Sequence, residues 1–136
     1  MEHEQRLIRD FDHWSVYLHE NQCYLGGTIL WARRKDALDF FDMTEEEKAE
    51  YFDVGKKLRI TLIGLFRPNM FNYLTLANVT RHLHTHLIPR YESSRIFSGI
   101  EFTDKRWGKN PAPYDEKFSI NDFQMMKIRD AVKREI

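Results

Sequence analysis

The chain has 136 residues, with 21 Lys plus Arg against 21 Asp plus Glu and a formal net charge of zero, so no strong field marks it as a binder of nucleic acid or anionic membrane surfaces. Any phosphate it meets has to be held by local groups. With 42% hydrophobic and 14% aromatic residues it can build a core, which excludes disorder as the main state, and its length suits a single domain over residues 1–136. The lone Cys23 rules out an intrachain disulfide and a cysteine-based zinc ribbon, and fits a reducing, cytoplasmic setting. Met1-Glu2-His3-Glu4-Gln5-Arg6 carries acids where a secretory signal needs cations. The most apolar stretch, residues 60–66, is broken by Thr61 and Gly64 and is too short to span a bilayer, so no membrane association is expected.

Trp14, Val16 and Leu18 alternate with Ser15, Tyr17 and His19, the period of two of a half-buried strand. Gly26-Gly27 supplies a turn before a second β-rich run, Thr28-Ile29-Leu30-Trp31-Ala32, so the two runs are expected to form a hairpin. The run ends in Arg33-Arg34-Lys35, which reads as a solvated turn rather than a site. Thr44-Glu45-Glu46-Glu47 is a capping box with acids at the positive end of a helix dipole. It predicts a helix from about residue 45 to about residue 66, where Pro68 forbids continuation. Phe52, Gly55, Leu58, Leu62 and Leu65 form its expected core stripe. Residues 70–76 and 82–88 read as strands, the second stopped by Pro89, and the short connection between them favours antiparallel pairing. Residues 92–119 read as irregular, and a final helix places Met125, Ile128, Val132 and Ile136 on one face. These elements predict an α+β fold built on a largely antiparallel sheet.

The informative segment is Arg81-His82-Leu83-His84-Thr85-His86-Leu87-Ile88-Pro89-Arg90, in which three of the six histidines alternate. On a strand their imidazoles share one face. At ~3.3 Å per residue His82 and His86 lie about 13 Å apart, too far for all three to ligate one ion. No Cys, HExxH or Asp cluster offers the missing ligands, so no metal site is assigned. The remaining chemistry is nucleophilic: a neutral imidazole attacks phosphorus without a separate base, and flanking imidazoles supply donors to the charged oxygens. The middle histidine, His84, is the natural nucleophile.

His82-Leu83-His84-Thr85-His86-Leu87-Ile88 resembles the His-φ-His-φ-His-φ-φ signature of the histidine triad (HIT) nucleotide hydrolases and transferases, most closely their dinucleoside polyphosphate hydrolase-like branch. Gly27-Thr28-Ile29-Leu30 before a basic cluster, Asp42-Met43-Thr44-Glu45-Glu46 and Leu76-Ala77-Asn78 are similar too, so that roughly residues 14–92 are covered. The resemblance implies an antiparallel five-stranded sheet with a long helix after the first hairpin and a C-terminal helix, in a homodimer. It implies that His84 attacks the α-phosphate of a nucleotide substrate to give a nucleotidyl-histidine that water or another acceptor releases. It gives His86 and Asn78 the phosphate, His82 the orientation of His84 through its backbone carbonyl, and Glu20 or Asn21 the ribose. No cofactor is required, with Mg2+ at most accompanying a polyphosphate substrate. Thr85 stands where the family places an apolar residue, and no histidine occurs in Thr28-Ile29-Leu30, where many members carry one.

Lys105-Arg106-Trp107-Gly108-Lys109-Asn110 interleaves cations with an aromatic that can stack a base; the same pattern also reads as a solvated loop with Trp107 plugged into the core. Cys23 reads as a small buried hydrophobe, and His3, His13 and His19 carry no spacing signal. Three functions follow: a hydrolase of a phosphoanhydride or phosphoramidate bond at the α-phosphate, a nucleotidyltransferase or phosphorylase using the same intermediate, and a nucleotide-binding signalling module with slow turnover.

Overall fold

The computed structural model describes residues 1–136. Its main sheet has the order β1-β2-β3-β5-β4, built from Leu7–Asp10 (β1), Trp14–Leu18 (β2), Thr28–Ala32 (β3), Met70–Leu74 (β4) and His84–Arg90 (β5). Every neighbouring pair is antiparallel. The expected α+β fold is therefore present, with α1 (Glu45–Phe66) following the β2–β3 hairpin and α2 (Asp122–Glu135) near the C-terminus. No helix is long and apolar enough to cross a membrane.

The capping box forms as the sequence predicts: the Glu47 amide donates to Thr44 Oγ1 at 3.0 Å and the Thr44 amide to Glu47 Oε1 at 2.9 Å. Burial raises the Glu47 pKa, but the Arg34 guanidinium, 3.1 Å away, and the Thr44 bonds outweigh it and hold the carboxyl below its ordinary range. Arg34 thus pairs with a buried acid instead of only facing solvent. At the other end Arg67 takes the left-handed conformation, its amide bonded to the Ile63 carbonyl at 3.0 Å, one residue before Pro68. The buried stripe of α1 is Val54, Leu58, Thr61, Leu62 and Phe66, packed on Trp14, Val16, Leu18, Leu30, Leu83 and Leu87. Phe52 and Gly55 were expected in that stripe and are not in it. Phe52 sits two residues from Val54, about 200° around the helix, and is 56% exposed. Gly26 is fixed by its surroundings: φ is +85°, and a Cβ there would lie 2.9 Å from the Phe66 ring.

Two further readings need correction. Pro89 does not stop β5. The Arg90 carbonyl accepts from the Asn69 amide at 2.9 Å, so Pro89's nitrogen faces the opposite side, where pairing with β3 has already ended at Leu87; no ladder bond is lost. His82, in turn, precedes the strand. Residues 92–119 also contain a small hairpin, β6 (Arg95–Phe97) and β7 (Ile100–Phe102), closed by Ser98 and Gly99 at φ of 53° and 79°.

Arg90, at the end of β5, is buried and uses all five donors. Its Nε and Nη2 bind Asp104 at 2.7 and 3.2 Å. Nη1 reaches Asn72 and the Lys109 carbonyl, and Nη2 also reaches the Arg106 carbonyl. Asp104→Ala strips a buried cation of its partner, and a loss of about 3–5 kcal/mol is expected in urea denaturation, against at most about 1 kcal/mol for removing the exposed Lys57–Asp53 pair.

Candidate active site

The pleat of β5 turns Thr85 and Leu87 toward α1 and His84 and His86 to the opposite face. Thr85, the polar residue at an expected apolar position, is fully satisfied there: its Oγ1 lies 2.7 Å from both Tyr51 Oη and Thr75 Oγ1. His82 is fixed twice. Its ring stacks on Trp31 of β3 with centroids 4.2 Å apart and planes at 21°, and its Nε2–H donates to the Ala32 carbonyl at 2.6 Å. The His82 carbonyl then accepts from His84 Nδ1–H at 2.6 Å. That bond places the ring proton of His84 on Nδ1 and leaves the Nε2 lone pair free.

A row of rings continues from there. His84 is 8% exposed and lies 5.2 Å from His86, whose ring makes no hydrogen bond within the protein. His86 is 5.3 Å from His19, just past β2, and His19 lies flat on Tyr114 at 4.4 Å with planes 14° apart. His19 Nδ1 lies 3.0 Å from the Asn21 amide and 3.1 Å from the Asn21 carbonyl, so the backbone of Asn21 fixes the ring's position. Burial pushes both His19 and His86 down to about 4; the Arg6 charge adds to the effect on His19, and His19 and His84 add to that on His86. Both rings are therefore uncharged at neutral pH. A cavity of about 220 Å³ opens on this row, bounded by His84, His86, His19, Ile29, Trp31, Thr80, Glu20, His3 and Arg6. It presents the free Nε2 lone pair of His84 beside further uncharged imidazoles, an arrangement suited to attack on an electrophile whose charge grows on its oxygens.

Of the residues singled out in the sequence, His82, His84 and His86 come together, and the exposed Glu20 borders the same cavity. Asn21 does not border it. Its Nδ2 donates to the Asp115 carbonyl at 2.9 Å and its Oδ1 accepts from the Cys23 amide at 2.9 Å, and it faces a neighbouring cavity of about 420 Å³. Asn78 is exposed in a bend outside the cavity, while Thr80, two residues on, lines it. Trp107 is 36% exposed and lies outside both the cavity and the core; the aromatic that this stretch delivers to the histidines is Tyr114. Cys23 is buried with Tyr24 and Ile88.

His19, His3, Arg6, Trp31 and Tyr114 escaped the sequence reading. For His19 a signal existed, because it continues the Ser15-Tyr17 face of its strand. For Tyr114 there is no local signal, since it reaches the site only through the loop that Arg90 anchors.

His19 and His86 titrate near 6.5 when unfolded and near 4 when folded. Between those values the unfolded chain binds more protons, so stability falls as pH drops through that window. A loss of about 2 kcal/mol from this pair between pH 7 and pH 4 is expected in urea denaturation, with both groups discounted for partial exposure. His19→Phe, which keeps a ring against Tyr114, should flatten that slope; an unchanged slope contradicts the burial argument.

A profile of the HIT domain matches residues 1–93. An uncharacterised HIT-like protein of Mycoplasma genitalium is 27% identical over 86 residues, covering 59% of this chain, and the chain spans 61% of that relative's length. Among solved structures, the fold is similar to that of a histidine triad protein from Bradyrhizobium japonicum (TM-score 0.79, 18% identity, 98% of this chain and 92% of that one). A histidine triad protein from Sinorhizobium meliloti is comparable (TM-score 0.80, 17% identity, 98% and 92%). A HIT family protein from Bacillus anthracis is 29% identical, with 64% of each chain covered and a TM-score of 0.57. With the domain profile matched over more than half its length and its three alternating histidines gathered at one end of β5, this chain belongs to the HIT domain family.

Proposed function

We propose that this chain is a nucleotide hydrolase that works through a covalent nucleotidyl-His84. HIT proteins are commonly nucleotide hydrolases or transferases. The observation that carries the reading is the 2.6 Å bond from His84 Nδ1–H to the His82 carbonyl, which leaves Nε2 as a free nucleophile in a ring that borders the cavity. The substrate is a dinucleoside polyphosphate or nucleotide conjugate, joined at its α-phosphate by a phosphoanhydride or phosphoramidate bond. Nε2 forms a bond to the α-phosphorus as the bond to the leaving group breaks, and the leaving group departs with the electron pair. The imidazole becomes cationic, and the His82 carbonyl dipole faces the proton that carries this charge. Water then replaces the P–N bond with a P–O bond, releasing a nucleoside monophosphate and a proton. His86 contacts the phosphoryl oxygens and Asn78 assists from the preceding bend. Glu20, at the cavity rim, takes the ribose hydroxyls. No cofactor takes part, and Mg2+ enters only with a polyphosphate substrate.

The reading includes a second copy of the chain. β4 is a free sheet edge with Met70 and Tyr73 exposed, and a groove of about 370 Å³ beside it is lined by Phe40, Tyr51, Phe52 and Tyr73. Edge-to-edge pairing would satisfy the open ladder and cover these rings. Light scattering should report a dimer for the wild type and a monomer for a Phe52→Glu, Tyr73→Glu variant; a monomeric wild type overturns this part.

His84→Ala should keep the fold and lose turnover by about 1,000-fold or more. A substrate labelled in the nucleotidyl phosphate should leave an acid-labile label on wild-type protein and none on the variant. Full activity in His84→Ala ends the hydrolase reading, and a product that changes when phosphate or a sugar phosphate is added moves it to the transferase.

A further inference from the structure

Two of the imidazoles around the cavity are held neutral, so they balance none of the charge that a phosphate-bearing ligand brings. Among the residues that border it, Arg6 is the one permanent cation. Arg6 is also uncompensated. It takes part in no ion pair, unlike Arg34, Arg90 and Arg129. Its Nη1 reaches only the Leu18 carbonyl, at 3.4 Å, and its Nε is buried with no hydrogen-bond partner. A guanidinium this short of acceptors is costly; its Nη2, which makes no hydrogen bond and is not buried, is open to a ligand oxygen that offsets the cost. Glu20 borders the same cavity yet does not pair with Arg6.

Arg6 closes the 3-10 turn His3–Arg6 that leads into β1. Its guanidinium lies against the Leu18 carbonyl of β2, two steps from β5 in the strand order, about 10 Å at ~4.8 Å per step. A phosphoryl group against His84 and His86 lies over β5, so an anion held by Arg6 is a different group at the far end of the cavity.

We propose that Arg6 is a specificity residue that binds a second anionic group, a further phosphate, on a nucleotide whose first phosphate lies against His84. Placement of that first phosphate rests on the hydrolase reading. The protein then selects doubly phosphorylated nucleotides over nucleoside monophosphates. The second phosphate sits either on the leaving-group side of the first or on the ribose. The chemistry seen by Arg6 is the same, and ligand choice separates the two.

The test is equilibrium binding by calorimetry with AMP, ADP, adenosine 3′,5′-bisphosphate and inorganic pyrophosphate, on wild type, Arg6→Gln and Arg6→Lys, each checked for folding by circular dichroism. In the wild type, ADP or the bisphosphate should bind about tenfold tighter than AMP, the size of one charge-assisted hydrogen bond. Arg6→Gln should erase that advantage without changing AMP affinity, and Arg6→Lys should restore part of it. Loss of the ADP advantage places the second phosphate beyond the α-phosphate, and loss of the bisphosphate advantage places it on the ribose. No preference in the wild type, a preference that survives Arg6→Gln, or AMP weakened as much as the others each overturns the proposal. Should no adenine nucleotide bind, pyrophosphate decides: binding lost in Arg6→Gln upholds the anion seat, and its absence in wild type overturns it. An Arg6-dependent preference in a protein that forms no adduct at His84 overturns the hydrolase reading alone.

Discussion

The architecture of this site depends on one buried guanidinium. Arg90 ends the strand that carries His84 and His86, and its fork on Asp104 ties residues 104–110 to that strand. Asp104 is itself saturated, since it also accepts from the amides of Tyr91 and Arg106. An ion pair out of water is stable only when every donor and lone pair is used, and here the geometry meets that demand. The chain that leaves this anchor supplies Tyr114, on which His19 rests, and His19 in turn stands beside His86. Strand, loop and ring stack therefore form one rigid unit.

Within that unit the protein separates nucleophilicity from charge. A hydrogen bond chooses the tautomer of His84, which donates from Nδ1 to a carbonyl. Burial then keeps His19 and His86 unprotonated. Neutral rings cannot bind an anion by Coulomb attraction, so that work falls to a group whose charge does not titrate, and the only such cation bordering the cavity stands at the opposite side of the sheet face.

The sequence was legible where a local rule acts alone. The capping box, the stop at Pro68, the alternation of β2 and the β-rich run of β3 gave element bounds that the structure repeats, because propensity, patterning and packing agree there. The helix stripe was misread at Phe52 because a large apolar residue was taken as buried, whereas the helical angle from Val54 decides its side. Pro89 was misread because tolerance of proline depends on which neighbour strand continues past it, a fact of register. The histidine alternation announced the chemistry of β5 but not its setting. Trp31 lies opposite His84 across the β3–β5 ladder, and His19 and Tyr114 arrive from 65 residues before β5 and 24 after it, so only tertiary pairing reveals them. Trp107 drew attention by composition, while the aromatic that matters follows it in the same loop.

Every residue that borders the cavity lies within residues 1–93, but the ring that backs His19 comes from beyond them. Residues 1–93, the stretch matched by the HIT domain profile, contain the histidine strand, but Asp104 and Tyr114 lie beyond it, tied back by Arg90 to Asp104, by Tyr24 to the Pro111 carbonyl and by Asn21 to the Asp115 carbonyl. The ring at position 114 therefore acts on the histidines from behind, through His19 and the edge of His86, and stays in place only while these ties hold. The reach of one buried ion pair thus extends past the residues it touches, to the backing of two rings that the histidine alternation by itself leaves unsupported.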